Sequence, residues 1–116
     1  MSPALAAMPK EPDSQQLIEL IDNAIRTYKG DLVELKGAIG ALMLARRYGW
    51  KPLLLIFDKR SIKKYEGILG LSFKDLAPEV GDCAHKSVAW AAMQRFNNFW
   101  KAVKGEIAGV RSSEVT

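Results

Sequence analysis

Two residues of this 116-residue chain have side chains suited to nucleophilic or metal chemistry, Cys83 and His85. Two positions apart on a helix, their side chains would point about 200° away from each other, so they cannot form a local nucleophile–base pair. A zinc site needs further ligands beyond these two, and the chain has no second cysteine or histidine. The sequence therefore predicts no catalytic residue, no metal site and no cofactor.

Short motifs that position a reactive serine or a phosphate group are also missing from the sequence. There is no Gly-x-Ser-x-Gly elbow, and neither Gly-x-Gly-x-x-Gly nor a Gly-Lys-Ser/Thr phosphate loop occurs. The closely spaced carboxylates Asp31 and Glu34 fit a helix cap better than an acid–base pair. We therefore expect a protein that is not an enzyme.

Positive charge is concentrated in the middle of the chain. Segment 46–64 carries seven Lys and Arg against one acid, a net charge of +6, whereas the whole chain has +4. The remaining residues therefore sum to −2. Positive charge concentrated in one segment indicates a polyanionic partner. The candidates are nucleic acid, an acidic protein surface and an anionic membrane.

Aromatic side chains are interleaved with this charge. Tyr48 and Trp50 lie among basic residues, an arrangement typical of surfaces that stack on single-stranded nucleic acid. The residues predicted to contact the polyanion are Arg46, Arg47, Trp50, Lys51, Lys59, Arg60, Lys63 and Lys64. The alternative is that these cations form an ordinary solvated surface. Basic side chains at the C-terminal end of a helix interact favourably with its dipole, which explains part of this charge without any ligand.

Two functions are compatible with these features. The first is a small, non-catalytic, basic helical protein, a regulatory or accessory factor that binds nucleic acid through segment 46–64. It would not be a helix-turn-helix module, because the aliphatic residues 53–57 occupy the place of exposed base-reading side chains. The second is a protein–protein interaction module, a helical homodimer, since three Trp, four Phe and four Met are many for a small domain to bury.

Capping signals predict the helices that would position these residues. Asp13 and Asp31 each begin a capping box, and the two helices end before Gly30 and Gly49. A break at residues 58–61 precedes a helix that ends at Gly70, because a continuous helix from residue 52 would bury the carboxylate at position 58 without a partner. A short helix follows residue 72, and the last helix begins at residue 82.

The predicted fold is all-α. It is a single-domain orthogonal or irregular bundle of five or six helices, with two long helices, about 31–48 and 82–104, as the central packing pair. The small residues Gly37 and Gly40 should let the last helix approach closely. Residues 1–12 and 105–116 are predicted to be flexible tails around the helical domain 13–104.

The cellular location of the protein is predicted from sequence features that the chain lacks. The N-terminus has no basic segment followed by a long apolar one, so no signal peptide is expected. The longest unbroken apolar run is far shorter than the roughly 20 residues of a membrane span. A single cysteine requires no oxidising compartment. We therefore expect a cytoplasmic protein with no membrane partner.

Overall fold

Six α-helices and no strand make up the part of the chain that the computed structural model describes, residues 14–76 and 86–115. The predicted all-α bundle of five or six helices is therefore confirmed. In chain order the helices are α1 (Gln15–Thr27), α2 (Leu32–Tyr48), α3 (Leu53–Ile56), α4 (Lys59–Leu69), α5 (Phe73–Leu76) and α6 (Lys86–Val115).

Helices α2 and α4 begin and end where the capping signals predict. The Asp31 carboxylate accepts a hydrogen bond from a backbone N–H at the start of α2, and the Asp58 carboxylate accepts one from Ser61 N at 2.7 Å at the start of α4. Both helices end at glycines with positive φ, 95° at Gly49 and 68° at Gly70. A side chain would be strained in that backbone conformation, so glycine fits these two positions.

The start of α1 differs from the prediction. The N-cap is Ser14, whose hydroxyl accepts a hydrogen bond from Leu17 N at 3.2 Å. Serine caps a helix as well as aspartate does, so the capping box assigned to Asp13 was placed one residue too early. Asp13 itself, with the predicted tail 1–12, lies outside the described residues.

The end of the last helix also differs from the prediction. Helix α6 does not stop before Gly105 but continues to Val115, so segment 105–116 is helical over nearly all of its length. Glycine inside a helix costs only about 0.5–1 kcal/mol relative to alanine. Ile107, which is 1% exposed, anchors the helix beyond the glycine. The predicted start of this helix, residues 82–85, lies outside the described residues.

Helix α2 occupies the centre of the bundle. It packs most extensively against α4, and it also contacts α6, α1, α5 and α3. Its apolar side chains lie on almost every side of the helix, which predicts a central, buried helix, and the structure confirms this. The buried residues of α2 are Leu35, Ala38, Ile39, Gly40, Ala41, Leu42, Leu44 and Ala45.

The two glycines of α2 admit different neighbours. A Cβ on Gly40 would lie 2.8 Å from Cε2 of Phe96, so this glycine lets α6 approach, as predicted. A Cβ on Gly37 would instead collide with the Tyr65 hydroxyl of α4. The prediction that both glycines face the last helix is therefore wrong for Gly37, because α4 covers that part of α2.

The substitution Gly40→Ala tests the close approach of α2 and α6. We expect it to lower the free energy of unfolding by about 1–2 kcal/mol, because overpacking against the buried Phe96 ring outweighs the gain in helix propensity. Gly67→Ala on α4 is the matched control, since its Cβ would meet nothing within 4 Å. We expect that control to stabilise by about 0.5–1 kcal/mol in urea unfolding. A Gly40→Ala protein as stable as the control would contradict the packing described.

Candidate nucleic-acid interface

Helix α4 carries four of the predicted contact residues on its solvent side. At about 100° per residue they span an arc of about 140°. The apolar side of the helix, which includes Ile62 and Tyr65, packs against the core. The four exposed cations are Lys59, Arg60, Lys63 and Lys64. We call this surface the α4 face.

Lys64 is the member of the α4 face that joins a network between helices. Its ammonium Nζ lies 2.7 Å from Oε1 of Glu34 on α2, and the Tyr28 hydroxyl donates to the other oxygen of the same carboxylate. Both hydrogen bonds hold the pKa of Glu34 below its ordinary value, with Lys64 contributing most. The contact also raises the pKa of Lys64. The network therefore connects α2 and α4 with the residue that follows α1.

The other three cations of the α4 face make no ion pair with any residue in the described ranges. The nearest acid in sequence is Asp58, and its carboxylate is engaged as the N-cap of α4. The backbone N–H of Ser61 is the main cause of a lowered pKa at Asp58. Lys59 and Lys63 thus present their charges to solvent, and exposed Arg60 also attracts the Asp58 carboxylate, which lowers the pKa of Asp58 further.

These charges do not stabilise the helix that carries them. Lys59 and Arg60 occupy the first turn, where the helix dipole disfavours cations, and that turn contains no acidic residue. Like charges spaced i,i+4, as in Lys59 and Lys63, cost a few tenths of a kcal/mol per pair. Helix stability therefore does not account for the composition of the α4 face.

The other predicted contact residues lie at the C-terminal end of α2. Arg47 and Lys51 are exposed, whereas Arg46 and Trp50 are half-buried. The Arg47 guanidinium lies 5.9 Å from the centroid of the Tyr48 ring. We call these residues the α2-end group.

Two cations that the sequence did not single out join the α2-end group. Arg95 of α6 donates a hydrogen bond from Nη2 to the Tyr48 hydroxyl at 2.9 Å. Lys74 of α5 places its ammonium 5.8 Å from the centroid of the Trp50 ring. Both are far from the group in sequence, so local charge patterning gave no signal for them. The fold enlarges this cationic end of α2 and partly occupies its aromatic rings.

The structure separates Lys64 of the α4 face from Arg46 of the α2-end group. Lys64 is held beside Glu34 in the first turn of α2, and Arg46 lies twelve positions further along the same helix. Twelve residues of α-helix rise about 18 Å. Lys64 and Arg46 therefore lie near opposite ends of α2. One polyanion that contacts both must span a distance equal to the rise of about five nucleotides.

Residues 14–76 and 86–115 contain no candidate metal site and no candidate membrane-spanning helix. No cluster of three or more His, Cys, Asp or Glu side chains there could hold a metal ion. None of the described helices has the length and apolar character needed to cross a membrane. No protein-family model, no curated protein sequence and no solved structure matches this chain.

Acid titration tests the network that positions Lys64. Because the pKa of Glu34 is lowered in the folded protein, the network stabilises the fold above the ordinary glutamate pKa of about 4.3. That stability is lost as the pH falls through the lower folded value. We expect Glu34→Gln to destabilise the protein at neutral pH, and the difference from wild type to shrink toward about pH 3.

Urea unfolding at several pH values measures this difference, and Glu19→Gln, an exposed glutamate of α1, controls for removal of a charge elsewhere. A Glu34→Gln difference that stays constant with pH would show that the carboxylate contributes nothing through its charge.

Proposed function

We propose that the protein is a non-catalytic nucleic-acid-binding protein that contacts the phosphate backbone through the α4 face. The observation that carries the proposal is a set of three exposed cations, Lys59, Arg60 and Lys63, that make no ion pair with any described acid. Their positions in the helix are not ones that favour helix stability. In this proposal it is a regulatory or accessory factor of the cytoplasm.

The chemistry of the α4 face favours backbone contacts over reading of base sequence. Lysine and arginine on long stems neutralise phosphates and release counterions, which gives affinity without sequence information. The described residues of the α4 face include no amide or aromatic side chain that would read or stack on a base. We therefore propose binding with weak sequence preference and steep dependence on salt.

The α2-end group extends the proposed interface. Arg46 of this group lies about 18 Å along α2 from the Lys64 contact, so a strand that runs from Lys64 to Arg46 covers about five nucleotides. Trp50 and Tyr48 already have cationic neighbours there. In this proposal the group supplies further phosphate contacts, and base stacking is secondary.

Salt dependence of binding tests the proposal. The three cations of the α4 face other than Lys64 should contribute about −3 to the slope of log K against log salt for a duplex, and contacts with the α2-end group add to that slope. The double variant Lys59→Gln/Lys63→Gln should bind more weakly at low salt, and its slope should be reduced by about two because each lost phosphate contact contributes about one. Fluorescence anisotropy with a labelled duplex and a labelled single strand measures both quantities.

A matched control for this experiment is Lys101→Gln/Lys104→Gln, which removes two exposed lysines from α6 and leaves the α4 face unchanged. We expect the control to retain nearly all of the affinity of the wild type. Lys64 is left intact in both variants because its loss would break the contact with Glu34. Equal affinities of the two double variants, with unchanged circular dichroism, would reject the α4 face as the binding surface.

A homodimer is the second candidate function. Trp90, near the start of α6, is 53% exposed. A large exposed apolar side chain is typical of surfaces that another protein covers. In this alternative a second copy of the chain covers it.

Light scattering tests the homodimer. The alternative predicts a dimer at micromolar concentration that Trp90→Gln converts to a monomer, because an aromatic anchor at the centre of an interface contributes much of its affinity. Val33→Gln is the control, since Val33 is 73% exposed on another helix. A wild-type monomer at that concentration would remove this alternative.

A further inference from the structure

Helix α3 exposes two consecutive leucines on one side of a single turn. Leu54 is 45% exposed and Leu55 is 37% exposed, while Leu53 is 1% exposed and anchors the turn in the core. Leu54 N donates to Lys51 O at 3.1 Å, so Lys51 belongs to the same turn. This i→i+3 hydrogen bond is that of a 3₁₀ turn, in which side chains three positions apart eclipse, so Lys51 lies on the same side as Leu54. We call Lys51, Leu54 and Leu55 the leucine patch.

The surroundings of the leucine patch are cationic. Lys51 is exposed, and α4 begins shortly after the leucines with the exposed cations Lys59 and Arg60. The acid between them, Asp58, uses its carboxylate to accept the Ser61 N–H. The complementary partner therefore combines negative charge with aliphatic side chains.

We propose that the leucine patch docks an acidic amphipathic helix of a partner protein. Apolar side chains on one face of such a helix cover Leu54 and Leu55, and its carboxylates pair with Lys51 and with the start of α4. Peptide helices of this kind bind through apolar anchors spaced i, i+3, i+4 and i+7. The positive charges around the patch favour a negatively charged partner and increase the rate of association with it.

An anionic membrane has the same two properties, but the available apolar area is too small for it. A myristoyl chain of about fourteen carbons gives only marginal membrane binding by itself. At 45% and 37% exposure, the two leucines offer the equivalent of about three side-chain carbons. A protein surface, in contrast, adds contacts beyond these two side chains and needs only a local anchor.

Binding of a synthetic peptide tests the inference with the full chain. The probe is a helical peptide with leucines at i, i+3, i+4 and i+7 and glutamates elsewhere, and the control peptide replaces those leucines with alanines at the same charge. We expect the leucine peptide to bind, and Leu54→Gln/Leu55→Gln to weaken it by about tenfold or more. The alanine peptide should bind no better to wild type than to this variant.

The matched control variant is Leu32→Gln/Val33→Gln. It removes another pair of consecutive exposed apolar side chains, 37% and 73% exposed, at the start of α2, and we expect it to bind the peptide as wild type does. Failure of the leucine peptide to bind, or equal binding by the two double variants, would overturn the inference.

Two further measurements distinguish a protein partner from a lipid surface and from nucleic acid. Binding to vesicles that contain phosphatidylserine, lost in Leu54→Gln/Leu55→Gln, would replace the protein partner with a lipid surface. A comparable loss of duplex affinity in that variant would assign the leucines to nucleic acid. We expect neither, because duplex binding depends on the α4 face. The leucine variant thus tests this inference, and the Lys59→Gln/Lys63→Gln variant tests the proposed function.

Discussion

Burial of α2 among its neighbours is the interaction on which the rest of the structure depends. Its two glycines set how closely the other helices approach, with Tyr65 of α4 over Gly37 and Phe96 of α6 over Gly40. Once the apolar side of α4 packs on α2, the opposite side of α4 must face water. The exposure of its cations is therefore a consequence of core packing, and the proposed interface is as rigid as the contact beneath it.

The α4 face combines one cation that the fold uses with three that it does not. Lys64 contacts Glu34, which also accepts a hydrogen bond from Tyr28, and this network fixes α4 relative to α2. Lys59 and Arg60 oppose the helix dipole in the first turn, a local cost that packing elsewhere must offset. A surface that costs stability and has no role in the fold is typical of a binding site.

The sequence predicts those features of the fold that depend on neighbouring residues in the chain. Asp31 and Asp58 begin their helices because each carboxylate accepts a nearby backbone N–H, and such contacts are visible as spacing. Features that depend on tertiary packing were missed or misplaced. They are the neighbour of Gly37, the continuation of α6 past Gly105, the distance between Lys64 and Arg46, and the approach of Lys74 and Arg95 to the α2-end group.

The central claim is that nucleic acid contacts the solvent side of α4. Amide chemical shifts of the labelled full-length protein, recorded during titration with a short duplex, test it most directly because every helix is observed at once. The account predicts that the largest shift changes fall at residues 59–64, with smaller changes at the C-terminal end of α2. Changes confined to α6 or α1 while the amides of α4 stay unchanged, or none at all at low salt, would contradict it.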